Sequence, residues 1–348
     1  MSNNTSLGQK FLTWLRVTNQ PVVKVYRGYG HANQAIIYGH VLHHSPLPRQ
    51  KYRDSVAANT LGLLRMFFVR PYVGAKVRLA NNPAVHTTTE TDGFFKLEWT
   101  PEQPLAPGWH PIRVELSMDN EPPVWGEGQL FVPHPTQYGC ISDIDDTFLI
   151  SHSSNLRKRL RLLLTENART RDAFADVVDH YRLLTHAGTI PHAPNPFFYV
   201  SSSEWNLYDY LIEFSNTNGL PMGVYLLSQI KRLPEVFKTG QGKHMTKFMR
   251  IVRVLDAYPK LRFILLGDDT QEDPDIYASV VSHFPQQIVC VYLRQVEPRK
   301  QEKTRFTVQK IQDAGVPCCY FRDSAEAIRH TKEIGLLPTE DANNQFGS

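Results

Sequence analysis

From Val22 to about Val132 the apolar residues fall in short runs that alternate with polar ones: VVKVYRGYG, QAIIYGHVL, AKVRLA, TDGFFKLEW and WHPIRVELS. A period of two, β-branched and aromatic enrichment, and Gly or Pro punctuation predict antiparallel strands packed as a β-sandwich. One interruption, Asp54 to Phe68, has helical spacing and reads as a crossing between sheets. After FVPHPTQYG, whose Pro133 and Pro135 stiffen the connector, the pattern changes. Short apolar runs now stand apart, at Tyr138 to Ser142, Phe197 to Val200, Val224 to Leu227, Phe263 to Leu266, Ile288 to Leu293 and Cys318 to Phe321. Between them, WNLYDYLIEF, KFMRIVRVLDAY and RFTVQKIQDAG carry apolar residues at helical spacing. Alternation of strand and helix predicts a doubly wound, mostly parallel α/β sheet. The expected organisation is an N-terminal segment 1–21, a β-sandwich domain 22–135, an α/β domain 136–340 and a tail 341–348.

In a doubly wound sheet, ligands bind beyond the carboxyl ends of the strands, so the residues that follow each run matter most. The first run leads into Asp143-Ile144-Asp145-Asp146-Thr147, the second into Ser201-Ser202-Ser203, and the fourth into Gly267-Asp268-Asp269 with Glu272 and Asp273 downstream. A helix is expected to open at DPDIY, and Lys247 lies near the start of the helix that feeds the fourth strand. Carboxylates suit a hard divalent cation, hydroxyls and helix-terminal N–H groups suit phosphate oxygens, and lysine balances the remaining negative charge. Taken singly, each piece has an ordinary structural reading: a turn for DxDxT and GDD, an N-cap for the serines, a solvated charge for the lysine. Their order, each at the correct end of the correct kind of element, favours one shared site. A calcium loop of the EF-hand type is excluded, because counting from Asp143 puts Phe148 and Ser154 where Gly and Glu are required.

Composition narrows the classes further. The chain of 348 residues is 41% hydrophobic, enough for two domains each with its own core. No run reaches the roughly 18 to 20 apolar residues of a membrane span, and Met1 to Gln20 lacks the layout of a secretory signal, so the expected compartment is the cytoplasm. Cys140, Cys290, Cys318 and Cys319 show no CxxC spacing, which argues against a zinc site or a disulfide framework. A net charge of +4 is too mild to argue for nucleic acid.

The motifs SDIDDT, YVSSSEWNLYDYL, TKFMRIVRVLDAYP and LLGDDTQEDPDIY resemble, over about Thr136 to Val296, the catalytic domain of the actin-patch-associated, magnesium-dependent phosphatidate phosphatases. That family lies within the haloacid dehalogenase-like (HAD) superfamily. Three departures are visible: Glu204 where the family usually has Pro, Thr246 where it usually has His before the lysine, and Asp269 where GDS is common. Glu204 and Asp269 are expected to add negative charge near the rim.

The resemblance implies a HAD-like fold with a cap insert at about 151–196, and a Mg²⁺-dependent phosphatase acting on phosphatidate or a related lipid phosphate through an aspartyl phosphate. It assigns Asp143 as nucleophile and Asp145 as general acid and base. Thr147, Ser201, Ser202 and Lys247 become substrate-binding residues, with Lys247 also offsetting Asp143. Magnesium falls to Asp143, the backbone carbonyl of Asp145 and Asp268, supported by Asp269 or Asp273. Mutual repulsion within SDIDDT is then relieved by the metal and Lys247. In the insert, Leu156, Leu160, Leu163 and Leu164 have helical spacing among Arg157, Lys158, Arg159 and Arg161. This suits an anionic membrane surface, and equally a cap helix with solvated arginines. KFLTWLRV (Lys10 to Val17) poses the same choice between a membrane and docking on the sandwich. The other functional readings are a phosphomonoesterase for soluble metabolites and a non-catalytic adaptor whose sandwich binds protein.

Overall fold

The structure, a computed structural model, describes residues 20–45, 66–118, 122–135, 138–144, 175–190, 192–230 and 243–337, the side chains of 175–176 and 243–246 excepted. Nine strands build the N-terminal half: β1 (Val22–Val25), β2 (Gly28–His31), β3 (Gln34–His44), β4 (Arg70–Pro71), β5 (Lys76–Leu79), β6 (Asn82–Thr88), β7 (Phe94–Trp99), β8 (Gly108–Leu116) and β9 (Val124–Val132). They form one mixed sheet in the order β1-β3-β2-β9-β8-β5-β6, with β4 and β7 also paired to β3. Every pairing is antiparallel except that of β2 with β9.

β3 explains how this half meets the rest. Its side chains alternate between faces. Ala35, Ile37 and Val41 enter a core with Val77, Phe95, Leu97, Val114 and Leu130. Ile36 and Tyr38 point the other way, into the core that also holds Phe198, Trp205 and Tyr258 of the C-terminal half. The N-terminal half has its own core, as its length suggested, and in addition the other face of its sheet is buried against the α/β half. β9 escaped the alternation pattern because VWGEGQLFV is interrupted by glycine. A Cβ at Gly126 would stand 2.5 Å from the Val23 carbonyl oxygen, so the close crossing of β1 requires the gap in the pattern.

The six expected C-terminal strands are all present: β10 (Tyr138–Asp143), β11 (Phe197–Glu204), β12 (Gly223–Ser228), β13 (Arg262–Asp268), β14 (Ile288–Arg294) and β15 (Cys318–Phe321). They form a wholly parallel sheet in the order β12-β11-β10-β13-β14-β15. The described helices are α1 (Ala175–Thr185), α2 (Tyr208–Asn218), α3 (Lys243–Ala257), α4 (Asp273–His283), α5 (Gln301–Asp313) and α6 (Ser324–Glu333), with a 3-10 turn at Trp205–Leu207. α2 stops at Gly219, whose φ of 68° lets its N–H reach the Ser215 and Asn216 carbonyls. α6 opens with a capping box between Asp323 and Glu326.

β10 has β11 on one side and β13 on the other, so the winding reverses there. In doubly wound sheets it is at such a reversal, outside the carboxyl ends of the strands, that ligands bind. Asp143 is the last residue of β10. Asp145, Asp146, Thr147, the basic segment from Leu156 to Leu164, the Lys10 to Val17 stretch and most of the Asp54 to Phe68 interruption lie outside the described residues. Among the described residues no helix is long and apolar enough to cross a membrane. The four cysteines are free thiols.

Candidate active site

Strand register brings the expected residues to one rim. Asp143 pairs with Val200, which sets Ser201 one residue further along the neighbouring strand. On the other side Ser142 pairs with Leu266, two residues before Asp268. Asp143, Ser201, Asp268 and Asp273 are each fully buried, and Lys247 is 2% exposed. Burial of this many ionisable groups costs several kcal/mol apiece unless they are paired.

Lys247 supplies the pairing. It enters from the second turn of α3, with its ammonium 3.0 Å from Asp143 Oδ1 and also in contact with Asp273 Oδ1. Burial pushes the Asp273 carboxyl above its ordinary range; the Lys247 charge opposes that rise and the Asp268 charge reinforces it. Asp273 stands in the first turn of α4, with Pro274 after it, where the helix N-terminus also favours a carboxylate. Its approach to β13 depends on Gly267: a Cβ there would lie 2.7 Å from Asp273 Oδ2 and 2.9 Å from the Tyr277 ring. Tyr277 itself donates to the Leu266 carbonyl at 2.8 Å, locking α4 to β13.

The nucleophile candidate is fixed from below. Ser142 Oγ donates to the Asp143 carbonyl at 2.8 Å, which leaves the Tyr181 hydroxyl of α1 to donate to Ser142 Oγ at 2.9 Å. The serine turn is shaped by Ser201 Oγ, which accepts the Ser203 N–H at 2.8 Å. Arg250, one turn beyond Lys247, donates to the Ser201 carbonyl and to Ser228 Oγ, each at 3.2 Å. Sequence reasoning passed over Arg250; its spacing of three from Lys247 on one helix was the available signal. Ser202 is also buried beside this turn.

Asp268 and Asp269 part company. Asp268 Oδ1 accepts from Thr270 N–H at 2.7 Å and Thr270 Oγ at 2.6 Å, turning the chain at the rim. Asp269, expected to assist a metal and add charge at the rim, is turned into the protein instead. Its Oδ1 accepts the Val296 and Glu297 N–H groups, both at 2.8 Å, and its Oδ2 accepts the Tyr320 hydroxyl at 2.5 Å. With both oxygens engaged in hydrogen bonds, Asp269 ties the end of β13 to the segments after β14 and in β15. Lys300 completes that tie, donating to the Thr270 and Gln271 carbonyls at 2.9 Å each. Glu204 pairs with Ser228 at the strand end and is partly exposed, and the Thr246 side chain lies outside the described residues.

Among the described residues no group of three His, Cys, Asp or Glu side chains is arranged to hold a metal ion. The charge balance of the cluster still leaves room for one. Asp143 and Asp273 share the Lys247 ammonium, Asp268 is fully buried as well, and Asp273 Oδ2 has no hydrogen-bond partner among the described residues. Asp145, which the resemblance adds to the donor set, lies outside them. The chemistry of these donors, buried carboxylate oxygens with excess negative charge, fits a hard divalent cation.

Residues 138–295 match the family described as "Phosphatidate phosphatase APP1, catalytic domain". The chain is 27% identical over 195 residues to the phosphatidate phosphatase APP1 of Saccharomyces cerevisiae, covering 53% of this chain and 31% of that protein. It is 26% identical over 161 residues to the uncharacterized protein C29B5.04c of Schizosaccharomyces pombe, covering 45% of this chain and 25% of that one. The chain thus spans under a third of the length of these curated relatives. Among solved structures, the tandem Ig repeats of Dlar align with a TM-score of 0.19 at 9% identity over 37% of this chain and 61% of that one, a likeness that carries no argument. The elements that carry Asp143, Ser201, Lys247, Asp268 and Asp273 all fall within residues 138–295, the segment in which the chain is similar to the phosphatidate phosphatase APP1 catalytic-domain family.

Proposed function

We propose that this protein is a Mg²⁺-dependent phosphatase that hydrolyses phosphatidate, or a related lipid phosphate, to diacylglycerol and inorganic phosphate. The observation that carries the reading is the buried Asp143, Lys247 and Asp273 cluster at the carboxyl end of β10, inside the family segment. On this reading the parallel half is HAD-like, with a cap insert at 151–196, and the nine-stranded half is a β-sandwich.

A carboxylate oxygen of Asp143 attacks the phosphorus, and the bond to the glycerol oxygen breaks. Asp145 gives its proton to that oxygen, releasing diacylglycerol. The same carboxylate then removes a proton from water, which attacks the phosphorus of the aspartyl phosphate and frees phosphate and Asp143. Lys247 holds Asp143 ionised and offsets the phosphoryl charge, while Ser201, Ser202 and Thr147 orient its oxygens. Asp143, the Asp145 carbonyl and Asp268, supported by Asp273, would hold Mg²⁺, which would supply charge neutralisation during phosphoryl transfer.

The lipid assignment further rests on Arg157, Lys158, Arg159 and Arg161, read as a surface for peripheral association with an anionic membrane from the cytoplasm. The test is a phosphate-release screen across phosphatidate, lysophosphatidate and soluble phosphoesters, with Mg²⁺ and with chelator. Preferred turnover of phosphatidate vesicles, slowed when these four residues are changed to Gln, is the expected result. Preferred turnover of a soluble phosphoester would transfer the assignment to a metabolite phosphatase. No release from any substrate would favour an adaptor.

A further inference from the structure

The residues that follow the serine turn are tied, nearly one by one, to the N-terminal sheet. Trp205 stacks on Tyr26, with ring centroids 4.1 Å apart and planes 10° from parallel. Asn206 Nδ2 donates to the Met66 carbonyl at 3.0 Å. The Tyr208 hydroxyl accepts the Arg27 N–H at 3.0 Å, and its ring lies 4.5 Å from Tyr26. Asp209 meets the Lys24 ammonium at 2.7 Å. Of the segment from Trp205 to Asp209, only Leu207 lacks such a tie among these contacts. Tyr26 is itself held, its hydroxyl 3.0 Å from Nδ1 of the buried His40.

On the opposite side the turn is held by Arg250 through the Ser201 carbonyl. The strand between is irregular: pairing of β11 with β12 shifts register between Val200 and Glu204. Arg250 grips the turn at one end and the Trp205 clamp at the other.

We infer that the N-terminal sheet is part of the phosphate-binding machinery, with Tyr26 a positioning residue that sets the Ser201 to Ser203 turn by clamping Trp205. This rests on the phosphatase reading of the site. Oxygen-binding groups must stand within a few tenths of an ångström of their targets, and a misplacement of about 1 Å costs on the order of 10²-fold. A displaced turn weakens phosphate in the ground state and in the transition state alike, so KM rises more than kcat falls.

The experiment measures KM and kcat on phosphatidate in mixed micelles, and inorganic phosphate binding by calorimetry, for the full chain. Tyr26→Leu removes the stack and is expected to raise KM and the phosphate Kd at least about tenfold, the factor for one hydrogen bond to a charged group. Tyr26→Phe keeps the ring and is expected to recover most of that loss. Val77→Ala lowers stability from the inner core, whose residues do not include the clamp, and is the matched control. A merely structural sheet would make Tyr26→Leu and Val77→Ala alike at equal loss of Tm, and that result overturns the inference. If Tyr26→Leu does not fold, the double variant Lys24→Ala, Asn206→Ala is read by the same criterion. A wild type that neither binds inorganic phosphate nor hydrolyses phosphatidate overturns the phosphatase reading and this inference with it. Wild-type turnover with KM unchanged in the clamp variant overturns the inference alone.

Discussion

Replacing Lys247 with methionine keeps the volume of the side chain and removes the ammonium that lies between Asp143 and Asp273. Both carboxylates are fully buried, so the apolar variant cannot keep both ionised without water or a counter-ion. The cheapest remedy is uptake of one proton. Holding a proton at pH 7 on a carboxyl with an unperturbed pKa of about 3.9 costs about 4 kcal/mol, at about 1.36 kcal/mol per unit. At pH 5 the same uptake costs about 1.5 kcal/mol. Already in the wild type burial raises the Asp273 carboxyl, and losing Lys247 removes the main force opposing that rise. A carboxyl raised in the folded state adds stability below its unfolded pKa and loses that contribution as pH climbs through its folded pKa. Lys247→Met should therefore be destabilised by about 4 kcal/mol at pH 7 and by about 1.5 kcal/mol at pH 5, relative to wild type. Urea unfolding followed by tryptophan fluorescence, in chelator at both pH values, reads this difference. An unchanged midpoint at pH 7, or a deficit that grows toward pH 5, would refute the buried charge pairing.

Three further expectations come from the same site. Asp145→Asn should lower kcat by at least about 10² and remove the limb of the pH profile that reports its ionisation, as steady-state kinetics will show. Asp268→Ala should raise the Mg²⁺ requirement or end turnover, chelator should stop the wild-type reaction, and Ca²⁺ should substitute poorly because its larger, looser shell does not match octahedral Mg²⁺. Asp269→Ala strands two N–H groups and the Tyr320 hydroxyl, and should cost about 3 to 5 kcal/mol in denaturant unfolding. Asp269→Asn, which keeps the acceptor for the two N–H groups, should cost about 1 kcal/mol.

The parallel half was legible because each of its strands is a continuous apolar run ended by polar residues, and the reversal at β10 puts those ends together. Asp143, Ser201 and Asp268 could be picked out on that basis, and Lys247 from its place near the start of the helix that feeds β13. Asp269 could not be separated from Asp268, since adjacent carboxylates read alike until the backbone shows one turned toward Val296 and Tyr320. Arg250 was hidden for a related reason: its partners are a carbonyl and a serine on other strands, which no local pattern encodes. Shared burial between the halves was equally invisible, because Tyr29 and Tyr38 read as ordinary strand aromatics until Phe198 and Tyr258 are seen beside Tyr29. β9 was missed where glycine serves a crossing strand in place of alternation.

If Asp143 carries the phosphoryl group, a covalent phosphate can be trapped on it. Acid quenching of the Mg²⁺-loaded protein during turnover of phosphatidate labelled in its phosphate, followed by proteolysis and mass mapping, tests this directly. Label is expected on the peptide containing Asp143, sensitive to hydroxylamine, and none in an Asp143→Asn variant that retains the wild-type fold by circular dichroism. Robust turnover by Asp143→Asn, or label on another residue, would contradict it.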